Sequence, residues 1–410
     1  MFSRGRFCTG AAIAQCCVRA VHSGAFACAH NRNRFLAQST GIRQRQFSIS
    51  ARHRAPLPWV IISTFGRKIV QYLVLPIAGR GFRRWYLSLS ADKQRGHYDR
   101  FREHRSKLVY VGAGAVGCVV VYYVSHLQRA PLTGRLRCVT LTRAQMHSVA
   151  QFTNDTQLLL HERQLLPATH AAHKLVSRLV RKILDGNRGS IADIDTYSWN
   201  VHVIDDATAN AFVTPSGEIF VFTGLLNSTA NVHQLGHLLA HEMAHTLLEH
   251  GLETLSWARL FDKLVLTVMA AIWLFLPGDG LAIVSAWFSD RVMQILLSLP
   301  RSRTMEMEAD KIGLMMAARA CLDVREAYSF WRDQSTKANV TQGDKEPPDL
   351  LSTHPNHGDR AERLQALMPR ALQLYSESEC PVLSRVDPRD DADRRAASVQ
   401  RTIAALQHAA

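Results

Sequence analysis

Residues 231–250 read Asn231-Val-His233-Gln-Leu-Gly-His237-Leu-Leu-Ala-His241-Glu242-Met-Ala-His245-Thr-Leu-Leu-Glu-His250. The run has helical character and no proline. On a helix, His241 and His245 lie one turn apart on one face, so both imidazoles reach one ion. Glu242 points about 100° away, beside that ion, where it can take a proton from a bound water. Three fixed residue types at ~5% each over ~400 starts give about 0.05 chance matches, so the motif alone is informative and not decisive. His233, His237, His241 and His245 form an i, i+4 ladder. His237 reads as a packing residue or a support behind a ligand, and His250 as a surface or helix-end residue.

Zinc needs a third protein ligand and an open position. The best downstream candidate is Arg303-Thr-Met-Glu306-Met-Glu308-Ala-Asp310-Lys-Ile-Gly313. Glu306 and Asp310 share a helix face: Glu306 can ligate, and Asp310 can accept a hydrogen bond from a ligand ring. Glu308 lies about 200° round the helix from Glu306, so it cannot share that role.

These residues carry a resemblance. His241-Glu-Met-Ala-His245 followed by Glu306-x-x-x-Asp310 resembles the HtpX / CAAX-prenyl-protease family of membrane zinc peptidases. Asn210-Ala-Phe212 with Gly217-Glu-Ile-Phe-Val-Phe-Thr-Gly224 resembles its edge-strand region, and Ser352-Thr-His354-Pro355 with Arg360 its later histidine motif. The likeness covers roughly residues 140–385 and is strongest to the family's mitochondrial inner-membrane members, whose activity overlaps that of the m-AAA protease.

The resemblance implies that His241, His245 and Glu306 hold one Zn2+ with Glu242 as general base and acid. It implies that His354 and Arg360 stabilise an oxyanion, or that His354 swings onto the metal. Asn210 would hold substrate or oxyanion beside an exposed strand at Glu218–Phe222, whose edge could pair with an extended peptide. It further implies stress-activated cleavage of membrane-anchored proteins such as the dynamin-like fusion GTPase, self-cleavage, and homo-oligomerisation. The alternatives are a catalytically inactive membrane scaffold that keeps the fold, and a prenyl-protein protease, whose seven-span organisation is absent here.

Charge placement fits such an address. Of 49 Lys and Arg, 14 precede the first acidic residue, Asp92, which leaves 35 against 34 acids beyond it. A uniformly basic nucleic-acid binder is therefore excluded, and 47% hydrophobic composition excludes a disordered chain. Residues 1–54 are rich in Arg and free of acids, the composition of a mitochondrial transit peptide. Arg45-Gln-Phe-Ser-Ile-Ser50 resembles a two-step processing site, cut after Gln46 and Arg54.

Leu108–Leu127 is 20 residues without formal charge, long enough to cross the hydrocarbon core. Residues 55–107 form a basic flank expected on the matrix side, which places the rest in the intermembrane space. Leu264–Leu276 and the apolar stretches to residue 299 predict a helical hairpin turning at Pro277–Gly280, dipping into the lipid or lying at its surface; a buried soluble hairpin is the alternative. Two full spans are disfavoured, because 13 helical residues cover only ~20 Å. Cys321 and Cys380 are either two free thiols or, in an oxidising compartment, a disulfide.

The expected fold is α+β: a mainly helical zincin-type domain over residues 128–385 with a small sheet, preceded by one transmembrane helix. Strands are expected at Tyr197–Ile204 and Glu218–Phe222, and residues 386–410 are expected to form a charged, mobile tail.

Overall fold

The computed structural model describes residues 69–70, 74–275, 303–340 and 360–409. Three helices lead in: α1 (Leu75–Ser88), α2 (Ala91–Glu103) and α3 (Arg105–Ser125). A two-stranded hairpin comes next, β1 (Leu127–Arg129) antiparallel to β2 (Leu136–Cys138). Then come α4 (Arg143–Leu160), α5 (Ala171–Asn187), strands β3 (Val201–Ile204), β4 (Ala211–Val213) and β5 (Ile219–Phe222), α6 (Thr223–Ser228), α7 (Val232–Leu247) and α8 (His250–Phe275). Residues 303–319 form α9; α10 (Arg325–Val340), α11 (Arg360–Glu377) and α12 (Pro388–Ala409) close the chain.

The helix α7 is buried nearly all round, at the centre of the core rather than on its surface. Leu235, Leu239, Ala240, Met243 and Ala244 are fully buried. Asn231 caps its start, its Oδ1 accepting from the amides of His233 and Gln234 at 3.0 Å each. α5 packs against it through Val176, Leu179, Val180, Ile183 and Leu184, a stripe at helical spacing.

The sheet corrects one expectation. Its order is β3-β5-β4, so Ile219–Phe222 is the central strand and not an exposed edge. Ile219 and Val221 face the main core, whereas Phe220 and Phe222 face a second cluster with Ile204 and Phe212. Alternating residues that are apolar on both faces read as half-exposed only when the outer covering is missed. The true edge beside Asn210 is β4, antiparallel to β5 with Phe212 opposite Phe220.

Two further boundaries move. α12 is a helix packed on α10, with Ala392 and Ala396 buried and Arg395 paired to Asp333 at 2.7 Å, so residues 388–409 of the charged tail are helical. The helix opening the apolar hairpin is 26 residues long and packs against α1. The expected turn at Pro277–Gly280 and the returning arm lie outside the described residues. Cys321 and Cys380 form a disulfide that joins the end of α9 to the chain after α11 across 59 residues. Among the described residues, α3 is the one helix long and apolar enough to cross a membrane.

α9 reaches α7 by close backbone approach at Gly313. A Cβ there would sit 2.8 Å from the Cα and N of His241. Gly313→Ala should therefore push α9 off α7 and displace Glu306 from the two histidines. We expect lower thermal stability and weaker zinc binding in a chelator competition; wild-type values for both would contradict this packing.

Candidate metal centre

Helix periodicity on α7 aligns His241 and His245, and α9 crosses them with Glu306. The ligand atoms of the three residues lie within 4.8 Å of one another. His241 Nε2 is 3.1 Å from His245 Nε2. Glu306 Oε2 is 3.4 Å from His241 Nε2, and its Oε1 is 3.4 Å from His245 Nε2. Tetrahedral zinc with bonds of about 2.0–2.1 Å requires donors about 3.3 Å apart, so two imidazoles and one carboxylate at these spacings fit that ion.

The electrostatics favour a cation here. Burial works against a charged His241, but Asp310 and Glu306 outweigh it and hold the ring's pKa above its ordinary value. The position thus favours a cation, whether proton or metal. Burial pushes the His245 ring down to about 4, with Glu306 opposing, so it is the neutral imidazole that metals bind. His237 is buried beneath this face, and burial lowers its pKa to about 3. It is a neutral packing ring, in line with its expected place behind the ligands.

Asp310 Oδ1 lies 3.0 Å from His241 Nδ1. It also accepts from Arg360 Nη2 at 2.6 Å and from Nε at 3.1 Å. Despite burial, Arg360 and His241 hold the Asp310 carboxyl well below the usual carboxylate range. Arg360 Nη1 is 3.3 Å from Glu306 Oε2, and its guanidinium stacks 3.7 Å from the Trp331 ring centroid. Arg360 is only 1% exposed.

Arg360 is thus buried beside the candidate ligands, bridging Glu306 and Asp310. A guanidinium with five donors suits this bridge; the sequence showed only its distance from His354. His354 lies outside the described residues. Glu242 sits on α7 between the two histidines and is largely buried, 6% exposed. Asn210 immediately precedes β4, and its Oδ1 accepts from the Ala211 amide at 2.9 Å.

Two residues stand apart from their sequence expectation. His250 is buried, and its Nδ1 lies 2.8 Å from Nδ1 of His245. The cause is a break in the helix: Glu249 adopts φ 52°, ending α7 and swinging His250 back toward His245. A left-handed non-glycine residue inside an apolar run carries no sequence signal. Glu308 accepts from His250 Nε2 at 3.2 Å. Burial opposes its ionisation, but His250, Arg135 and Thr133 outweigh that and lower its pKa to about 2.

A profile of peptidase family M48 matches residues 172–368. The mitochondrial metalloendopeptidase OMA1 of Bos taurus is 38% identical over 347 residues, covering 84% of this chain and 65% of its own length. That of Danio rerio is 37% identical over 351 residues, covering 85% and 72%. The Saccharomyces cerevisiae protein is 31% identical over 275 residues, covering 64% and 75%. The chain thus spans just under two thirds of the bovine relative and nearly three quarters of the other two.

Arg360→Lys separates the two readings of that residue. A single ammonium cannot bridge Asp310 and Glu306 in one plane, so zinc affinity and melting temperature should both fall. A loss confined to kcat, with zinc binding unchanged, would restore the oxyanion role.

Proposed function

The chain belongs to peptidase family M48, with the mitochondrial OMA1 metalloendopeptidases, and from that premise we propose that it is a zinc-dependent endopeptidase of the mitochondrial inner membrane. The carrying observation is the cluster of buried His241 and Glu306 with part-buried His245, at tetrahedral donor spacing. These three would hold the ion. When bound, zinc supplies Lewis acidity to a scissile carbonyl and lowers the pKa of a water.

Glu242 takes the proton of the attacking water and passes it to the leaving amine. His354 supports the developing oxyanion, with Asn210 near the substrate backbone. Arg360 and Asp310 keep the ligands in place.

Substrate would be drawn in as an extended strand. Phe222 N–H donates to Asn210 O at 3.1 Å, and Thr214 N–H donates to Glu218 O at 2.9 Å, so alternate residues of β4 face β5. The backbone groups of Ala211 and Val213 then point away from β5, beside α7, with the Ala211 N–H taken by Asn210 Oδ1 and Val213 left to pair. Main-chain pairing there fixes register and leaves side-chain choice loose.

The proposed location rests on three features. The acid-free segment 1–54 serves as a transit peptide, and 55–107 is a basic matrix-side flank. α3 crosses the bilayer, and the catalytic domain of residues 128–385 faces the intermembrane space. The Cys321–Cys380 disulfide suits that oxidising side. α8 touches both ends of this arrangement: Trp257 lies 6.0 Å from Tyr123 of α3, and the helix also packs on α1 of the flank. The site then lies near the membrane, suited to anchored proteins such as the dynamin-like fusion GTPase, cut under stress by a homo-oligomer that also cleaves itself.

Glu242→Gln in the purified full chain tests the chemistry. We expect kcat/KM on a membrane-anchored protein to drop about 10²–10⁴-fold with zinc retained. Undiminished proteolysis would contradict the general-base role, and an inert wild type would favour the scaffold alternative. Protease added to mitoplasts should remove a C-terminal tag; a protected tag would reverse the orientation.

A further inference from the structure

The two histidine ligands are supported from opposite sides, and only one support belongs to the Glu306-x-x-x-Asp310 motif. His241 leans on Asp310. His245 leans on a different chain of residues that starts at His250. The two rings meet edge to face, with centroids 4.9 Å apart. Beyond His250, Glu308 accepts from Thr133 Oγ1 at 2.7 Å, and from Arg135 Nε at 3.0 Å and Nη2 at 2.9 Å. Arg135 in turn donates to Glu253 at 3.0 and 2.6 Å.

Geometry orders the bonds from both ends. The Glu308 oxygens, held by Arg135, accept from His250 Nε2. At the other end His245 Nε2 faces His241 Nε2 and Glu306 Oε1, so on the ligand reading it is His245 Nδ1 that carries the proton and donates to His250 Nδ1.

We propose that His250, Glu308 and Arg135 form a positioning relay that fixes the tautomer and ring orientation of His245, with the β1–β2 hairpin as part of the metal-site scaffold. The hairpin contributes twice. Arg135 anchors the relay, and Arg137 Nη1 donates to Leu248 O at 2.6 Å and to Glu249 O at 3.2 Å. Arg137 also pairs with the Glu249 carboxylate, and so clasps the left-handed turn that presents His250. The hairpin comes directly after α3 in the chain.

This inference rests on reading His241, His245 and Glu306 as zinc ligands. Its test uses the full chain in detergent, with zinc affinity from competition against a chromophoric chelator and the visible absorption of the Co2+-substituted protein. His250→Leu should weaken zinc binding about 10–100-fold and alter the cobalt spectrum. His250→Gln, whose amide can accept from His245 and donate to Glu308, should recover most of both. Wild-type affinity and spectrum in His250→Leu would overturn the relay while leaving the ligand reading intact; a wild-type chain that binds no zinc would overturn both. If His250→Leu does not fold, Glu308→Leu decides on the same two readouts, since it cuts the relay while Arg135 keeps its pairing with Glu253.

Discussion

Two imidazole nitrogens and the two oxygens of one carboxylate, held 3.1–3.4 Å apart at the edge of a core, repel one another unless a cation lies between them or near them. Much of the surrounding structure answers that constraint. Arg360 brings one fixed positive charge under Glu306 and Asp310, covered by the Trp331 ring. Gly313 lets α9 come close enough to α7 for Glu306 to reach the histidines. Buried charges of this kind are costly when any one partner is lost, so the ligands, Asp310 and Arg360 behave as a unit.

The site is built at the centre of the domain, where sheet and helices leave little freedom. α7 is buried on nearly every side, and its cap is held by Glu326, which accepts from Asn231 at 2.8 Å and from Gln234 at 2.9 Å. The disulfide between Cys321 and Cys380 ties the ligand-bearing α9 to the strand of chain after α11. A link over 59 residues removes much chain entropy from the unfolded state, which helps hold α9 against α7.

Short-range periodicity made the candidate ligand cluster legible in the sequence. His241, His245, Glu306 and Asp310 are spaced by helical turns, and that spacing alone puts them on shared faces. The candidate span and the helical character of α5 were legible for the same reason. The features that escaped are non-local. The central place of β5 depends on a third strand only three residues long. The inward turn of His250 depends on one left-handed residue, Glu249, clasped by Arg137 from 112 positions earlier in the chain. The burial of Arg360 depends on Trp331 and Asp310, and α12 depends on ion pairs with α10. None of these pairings leaves a periodic trace.

The central claim is that one zinc is held by His241, His245 and Glu306. X-ray absorption at the zinc edge of the purified full chain tests it most directly. The account predicts stoichiometric zinc with a first shell of nitrogen and oxygen at about 2.0–2.2 Å, two of the scatterers being imidazole. Sulfur scatterers at about 2.3 Å, or a chain that retains no zinc, would contradict it.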